Sequence, residues 1–162
     1  MFGKTIDVVA VEVADPRADR LDAANKLIAS ARNWSFAAAL VPVPYLDLAL
    51  LASLQTKLIV NLASLYDQKL FKQAVTSLIT LLIGTLAPAG ASRLTSSVLI
   101  KFLPGMGSAI GAVSLATFGA SATCAIGKVF VKHFENGGSI STFSAKDVQE
   151  DLKKEFASAS KI

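Results

Sequence analysis

Two long stretches of this chain contain no charged residue: Ala74–Ser92 and Phe102–Gly127. Only nine residues separate them, and Arg93 and Lys101 are the charges in that interval. A water-exposed helix normally carries charged residues on its outer face, so these stretches predict two helices that are shielded from water. Their pairing indicates a helical hairpin that is buried either in a bilayer or in the core of the protein.

The lengths of the two stretches can be compared with the thickness of a bilayer. A helix over Leu70–Leu86 would be about 25 Å long at 1.5 Å per residue, and Pro88 and Gly90 would then break or kink it. The uncharged segment Gly107–Gly127 would span about 30 Å, which matches a hydrocarbon core. We therefore expect a hydrophobic hairpin over residues 70–131 that inserts into a membrane, and a soluble helical core is the alternative.

The overall composition agrees with a membrane environment. Hydrophobic residues make up 52% of the chain and charged residues 17%, which are above and below the usual values for soluble domains. The net charge is +4 and the cations are scattered, so we expect no nucleic-acid partner. Mild basicity of this kind suits the anionic surface of a lipid bilayer.

The rest of the chain also has helical periodicity. Asp15 followed by Pro16 is typical of a helix N-terminus, and apolar residues at helical spacing continue to a proline-rich elbow. A second helix is predicted over Leu46–Tyr66, and a final amphipathic helix follows the capping-box pattern Ser144–Asp147. These patterns predict an all-α fold, a helical bundle with a central hydrophobic helical hairpin.

Changes in composition divide the chain into three parts. They are an N-terminal arm (1–14), a helical domain (15–134) that contains the hairpin (70–131), and a polar loop with a C-terminal amphipathic helix (135–162). The last helix has only a thin apolar stripe, so we expect it to dock onto the helical domain or onto a partner.

A stripe of small residues runs along the second uncharged stretch. The glycines of this stripe are separated from one another by multiples of four residues: Gly107, Gly111, Gly119 and Gly127. Small residues at this spacing allow two helix backbones to approach closely, in membranes and also in tightly packed soluble hairpins. We expect these glycines to mediate helix packing, within one chain or between the copies of a homo-oligomer.

Four residues are candidates for a membrane interface: Trp34, Lys128, Lys132 and His133. Trp34 lies between the polar and apolar faces of the first helix, where interfacial anchoring and core packing are both open. The other three lie near the end of the second uncharged helix, where basic side chains complement the helix dipole and can reach headgroups. Lysines are more frequent beside the ends of the hairpin than in its turn, so we expect both termini in the cytoplasm.

The sequence offers little for catalysis or metal binding. Cys124 and His133 are the single cysteine and the single histidine, so a typical zinc site would need carboxylates. The segment that ends in Gly127–Lys128 resembles a phosphate-binding loop, but Val129 stands where Ser or Thr is needed and no strand precedes it. We expect a protein that is not an enzyme and that binds no cofactor.

A family resemblance adds to this interpretation. The segments Val41–Asp47 and Lys101–Ser108 are similar to parts of a bacterial domain of unknown function, which is found C-terminal to Era-like GTPases and in YcjF-type inner-membrane proteins. The elbow part of the pattern rests on Pro42, Pro44, Asp47 and Gln55. Tyr45 departs from the pattern, which has a glycine there. The resemblance implies an all-α, membrane-associated module that accompanies a GTPase, and it assigns no catalytic residue.

Three functions are compatible with these features. The leading hypothesis is a non-enzymatic protein of the bacterial inner membrane that acts as an anchor, organiser or remodelling module, with a GTPase as partner. The first alternative is a soluble helical protein that binds a partner or assembles with itself. The second is a convertible protein that is stored in water and inserts into membranes as pore formers do.

Overall fold

The computed structural model describes residues 15–39, 47–70, 72–98 and 107–161. The α-helices in these ranges are α1 (Pro16–Ala39), α2 (Asp47–Leu65), α3 (Lys72–Val98), α4 (Gly107–Glu135) and α5 (Gln149–Ala159). A short 3-10 helix, Ile140–Thr142, lies between α4 and α5. No strand occurs in the described ranges, and the predicted all-α bundle is confirmed. The N-terminal arm (1–14) and the prolines of the elbow lie outside the described residues.

Helix α1 begins as its sequence predicts. The backbone N–H of Arg17 donates to the Asp15 side chain at 2.9 Å, so Asp15 caps the helix. Pro16 is the first helical residue, where its missing N–H would have had no partner within the helix. Local capping chemistry therefore fixes this end of the bundle.

Helix α4 is the central element of the bundle. It contacts each of the other four described helices, and its largest interface is with α1 rather than with α3. The buried apolar residues of α4 are Ala116, Ala122, Ala125, Ile126, Val129, Phe130, Val131 and Phe134. From Ala116 onward the apolar side of α4 is thus covered by other helices, chiefly by α1, whereas Val113 is 51% exposed.

Helix α3 continues through Pro88, so of the two predicted effects of this proline, a break or a kink, the break does not occur. It is helical from Lys72 to Val98 with Pro88 in its interior. An interior proline costs about 3 kcal/mol, since it removes one hydrogen bond and crowds the carbonyl four residues earlier. That carbonyl belongs to Gly84, which is exposed and can be solvated. Leu86, just before Pro88, is buried in the core, and Ala89, just after it, is partly buried against the same core.

The C-terminal helix α5 belongs to the same core as the other helices. Leu152 and Phe156 are buried, and the Phe156 ring meets Phe118 of α4 edge-on at 5.4 Å between centroids. The predicted capping box is only partly formed: the N–H of residue 147 lies 3.4 Å from the Ser144 hydroxyl, and α5 itself begins later, at Gln149.

Helix α2 ends in a Schellman motif with an unusual residue at its centre. The N–H of Gln68 donates to the carbonyl of Ala63 at 2.8 Å, and Asp67 has a φ of 53°. Helix α4 ends in a similar way, but there the left-handed residue is Gly137. A left-handed conformation favours glycine, so Asp67 is held in it at a cost.

We expect Asp67→Gly to raise the free energy of unfolding by about 1 kcal/mol. The substitution removes the backbone strain, and it also removes a negative charge from the negative end of the α2 dipole. Urea denaturation followed by circular dichroism measures the change. The matched control, Gly137→Ala, should lower the free energy by a similar amount, and equal effects of the two variants would contradict the explanation.

Candidate functional site

The exposed side of α3 carries no charged side chain between residues 73 and 92. We define the α3 outer face as its exposed residues Gln73, Ala74, Thr76, Ser77, Thr80, Leu81, Gly84, Ala87 and Pro88. The opposite side of the helix, with Val75, Ile79, Leu82 and Leu86, is buried in the bundle. Leu81 is 59% exposed at the centre of the outer face. Helix α3 is therefore apolar towards the core and uncharged towards the outside.

Hydroxyl groups on this helix donate to its own backbone. The Ser77 hydroxyl donates to the carbonyl of residue 73 at 3.1 Å. Thr80 and Thr85 donate to the carbonyls four residues earlier at 2.9 and 3.0 Å. These protons are satisfied without water, and the threonine methyl groups add to the apolar surface. Such internal bonding is what a helix needs where water is scarce.

The charge of the surrounding sequence has one sign only. No Asp or Glu lies between Asp67 and Glu135, a segment that includes all of α3 and nearly all of α4. The Lys and Arg residues of this segment are Lys69, Lys72, Arg93, Lys101, Lys128 and Lys132. An anionic surface that approached α3 would therefore meet no acidic residue of this segment.

The structure places Trp34 on the surface, with 66% of the residue exposed. It lies at a groove of about 480 Å³ between α1 and α2. The groove is lined by Leu27, Ser30, Ala31, Trp34, Leu54, Lys57, Leu58 and Asn61. Trp34 is thus not a core residue of the described bundle.

The two lysines proposed for a membrane interface contact α5. Lys128 lies 2.9 Å from a carboxylate oxygen of Glu155, and Lys132 lies 2.5 Å from Asp151. The hydrogen bond that Lys128 donates to Glu155 raises the pKa of Lys128, and the hydrogen bond that Lys132 donates to Asp151 lowers the pKa of Asp151. Exposed pairs of this kind are screened by solvent and contribute little to stability, so they orient α5 more than they stabilise it.

His133 is half-buried in the turn that follows α4. Its Nε2 lies 2.9 Å from the carbonyl oxygen of Ser139, and because a carbonyl only accepts, Nε2 carries the proton. The ring meets Phe143 edge-on at 5.1 Å between centroids. Gly138 packs directly against the imidazole, with no room for a Cβ. His133 thus stabilises this turn through its contacts with Gly138, Ser139 and Phe143.

The glycine stripe is described only at its C-terminal half. A Cβ on Gly127 would lie 2.7 Å from Cγ1 of Ile28 and 3.3 Å from Cδ2 of Leu58. Gly127 therefore allows α4 to approach α1 and α2 within one chain. Gly119 is also buried, whereas Gly107 and Gly111 fall in the first two turns of α4, whose surroundings are not described. Packing between copies stays a prediction.

A polar contact between α1 and α4 lies next to this close approach. Thr123 donates to the carbonyl of Gly119 at 2.8 Å, and its hydroxyl lies 2.9 Å from the hydroxyl of Ser35. Since a hydroxyl has one proton, Ser35 is the donor in the second bond. Both side chains are buried and satisfied, which sets the register of α1 on α4.

Gln55 is the one described elbow residue whose environment the structure shows. It is 0% exposed, and neither its Oε1 nor its Nε2 has a hydrogen-bond partner. Asp47 is the first residue of α2, while Pro42 and Pro44 lie outside the described residues. A buried amide without partners is uncommon and destabilises the state in which it occurs.

A network that the sequence did not suggest joins the ends of three helices. The hydroxyl of Tyr66 donates to Glu135 at 2.7 Å, and Arg17 donates to the other carboxylate oxygen at 2.6 Å. Burial, together with the bond to Glu135, raises the pKa of Tyr66 to about 12. The bond from Tyr66, followed by the contact with Arg17, lowers the pKa of Glu135. The phenol thus stays protonated and the carboxylate ionised near neutral pH, which suits a structural link.

The described residues contain no group of three or more His, Cys, Asp or Glu side chains placed to hold a metal ion. Cys124 is half-buried, and burial raises the pKa of its thiol, which disfavours the reactive thiolate. In the same residues, no helix combines the length and apolar character needed to cross a membrane.

Comparison with known proteins identifies the family of this chain and a relative of known name. The family described as "Domain of unknown function (DUF697)" matches residues 10–161. Over 120 residues the chain is 38% identical to "Magnetosome membrane protein 22" of Magnetospirillum gryphiswaldense. The aligned residues make up 74% of this chain and 62% of that protein. The chain therefore spans less than two thirds of that relative. No solved structure matches the chain.

Proposed function

Since this chain belongs to the family described as "Domain of unknown function (DUF697)", we propose that it is a non-enzymatic, membrane-associated helical protein. The observation that carries the proposal is the uncharged α3 outer face. A surface helix normally carries charged residues on the side opposite its apolar stripe, whereas this side of α3 carries none and exposes Leu81 at its centre. In the described bundle only its inner side is covered.

A bilayer surface suits the α3 outer face because that face carries no charged side chain. No described helix is long and apolar enough to span, so we place α3 along the interface, with its outer face against the acyl chains. Lys69 and Lys72 precede this face and Arg93 follows it, at positions suited to anionic headgroups. The relative with 38% identity is named as a magnetosome membrane protein, which supports membrane association of this chain.

Within that role we propose an anchor, organiser or remodelling module at the bacterial inner membrane, with both termini in the cytoplasm. The resemblance to domains beside Era-like GTPases favours a GTPase as partner. Assembly into a homo-oligomer would align several α3 outer faces on one bilayer and increase their joint affinity.

The test of the α3 outer face is a vesicle flotation experiment with Leu81→Glu. Full-length protein should float with phosphatidylglycerol vesicles, and Leu81→Glu should bind at least about ten-fold more weakly, because it removes an apolar contact and adds a charge that anionic lipids repel. Leu81 is exposed, so the fold should be unaffected, and thermal unfolding checks this.

The matched control is Ala29→Glu, which adds the same charge at an exposed position of α1. It should bind vesicles nearly as well as the unaltered chain. Equal binding by Leu81→Glu and Ala29→Glu would show that α3 does not face the bilayer. A protein that never floats would refute membrane association and favour a soluble interaction module.

A further inference from the structure

The groove between α1 and α2 has the composition of a site for an amphiphile. Leu27, Ser30, Ala31 and Trp34 line it from α1, and Leu54, Lys57, Leu58 and Asn61 line it from α2. Both sets have the spacing i, i+3, i+4 and i+7, so each is a single helix stripe. Leucine and alanine supply the apolar part of the lining, while a lysine and an asparagine supply the polar part.

The charge of the groove favours an anion. Lys57 is exposed, and among the described residues it has no ion-pair partner. No Asp or Glu is present in the lining. Asn61 adds amide donors one helical turn from Lys57. An anionic headgroup could therefore bind both side chains without meeting a carboxylate.

The size of the groove favours a lipid chain over a protein partner. A volume of about 480 Å³ lies within the usual range for small ligands. The lining covers only two helical turns, roughly 10 Å, whereas a stable protein interface buries about 800 Å² on each partner. Trp34, with its large exposed fraction, is of the residue type that concentrates at membrane interfaces.

We propose that the α1–α2 groove binds an acyl chain of an anionic membrane lipid, with Lys57 and Asn61 on the headgroup and Trp34 along the chain. The inference rests on the proposed membrane association, but it concerns a surface separate from the α3 outer face. Trp34 is the single tryptophan of the chain and therefore reports on this groove without a label.

The experiment measures Trp34 emission while phosphatidylglycerol or phosphatidylcholine vesicles are added to the full-length protein. We expect a blue shift with phosphatidylglycerol, and quenching when its acyl chains are brominated. Lys57→Met should weaken binding to phosphatidylglycerol about five-fold and leave phosphatidylcholine unaffected. Ala31→Phe fills the groove and should abolish the quenching, whereas Ala29→Phe, on the exposed side of α1, should not.

The outcomes separate this inference from the proposed function. Flotation with vesicles without any change in Trp34 emission would overturn the groove site and leave the α3 outer face as the membrane contact. Equal quenching in Ala31→Phe and Ala29→Phe would show that Trp34 inserts into the interface without the groove, and it would also overturn the groove site. A blue shift that depends on protein concentration without lipid would assign the groove to a second copy. Absence of flotation refutes both proposals.

Discussion

Replacing Gln55 with methionine is expected to stabilise the protein by about 1–3 kcal/mol. Methionine has nearly the same length and helix propensity as glutamine, so the packing around residue 55 is kept. The gain comes from the amide, whose two polar atoms lose water on folding and receive no partner in the bundle. Urea denaturation of the full chain measures the change.

The matched control is Gln73→Met on the exposed α3 outer face, where the expected change is close to zero. Destabilisation by Gln55→Met would mean that the Gln55 amide has a hydrogen-bond partner that the described bundle does not show. The same variant also bears on the convertible alternative. If a membrane form of the bundle satisfies Gln55, Gln55→Met should reduce leakage from liposomes while raising stability in water.

Replacing Gly127 with leucine is expected to destabilise the bundle by about 3 kcal/mol, at the upper end for overpacked cores. The first carbon of any side chain there would meet Ile28 at 2.7 Å, and Ile28 is itself only 4% exposed. Ile28 cannot move outward without pushing α1 away from α4. The loss should appear as a lower midpoint of urea unfolding.

Gly84→Leu is the matched control for Gly127→Leu. A Cβ on Gly84 has no atom within 4 Å, so the higher helix propensity of leucine should stabilise the chain by up to about 1 kcal/mol. Adding Ile28→Ala to Gly127→Leu should recover part of the loss, and the double-mutant cycle gives the coupling between the two positions. No recovery would mean that the clash lies elsewhere.

The uncharged surface of α3 explains why composition pointed to a membrane although no described helix spans one. The sequence shows that α3 and α4 lack charge, but it does not show which of them is covered by protein. The bundle covers the apolar side of α4 from Ala116 onward, chiefly with α1, and leaves one side of α3 exposed. A lack of charge therefore accompanies burial by protein in α4 and an exposed, uncharged surface in α3.

The sequence identifies individual candidate residues for a membrane interface, but it does not show their neighbours in the fold. Trp34 was recognised as an anchor or a core residue, and exposure on α1 decides against the core. Lys128 and Lys132 were assigned to a membrane interface, yet each has an acidic partner on α5. The groove at Trp34 exists only because α1 and α2 bring two stripes together, which no single helix reveals.

The sequence by itself determined the local features: the all-α class, the Asp15 cap and the uncharged character of two helices. These depend on residues within one or two turns of each other, so periodicity and capping rules suffice. Only the tertiary structure decided that Pro88 stays inside a helix, that Gln55 is buried without partners, and that Tyr66 and Arg17 meet at Glu135. The Arg17–Glu135 contact joins residues 118 positions apart. Such contacts depend on which helix faces pack together, and that choice minimises the exposed apolar area of the whole chain rather than of any one segment.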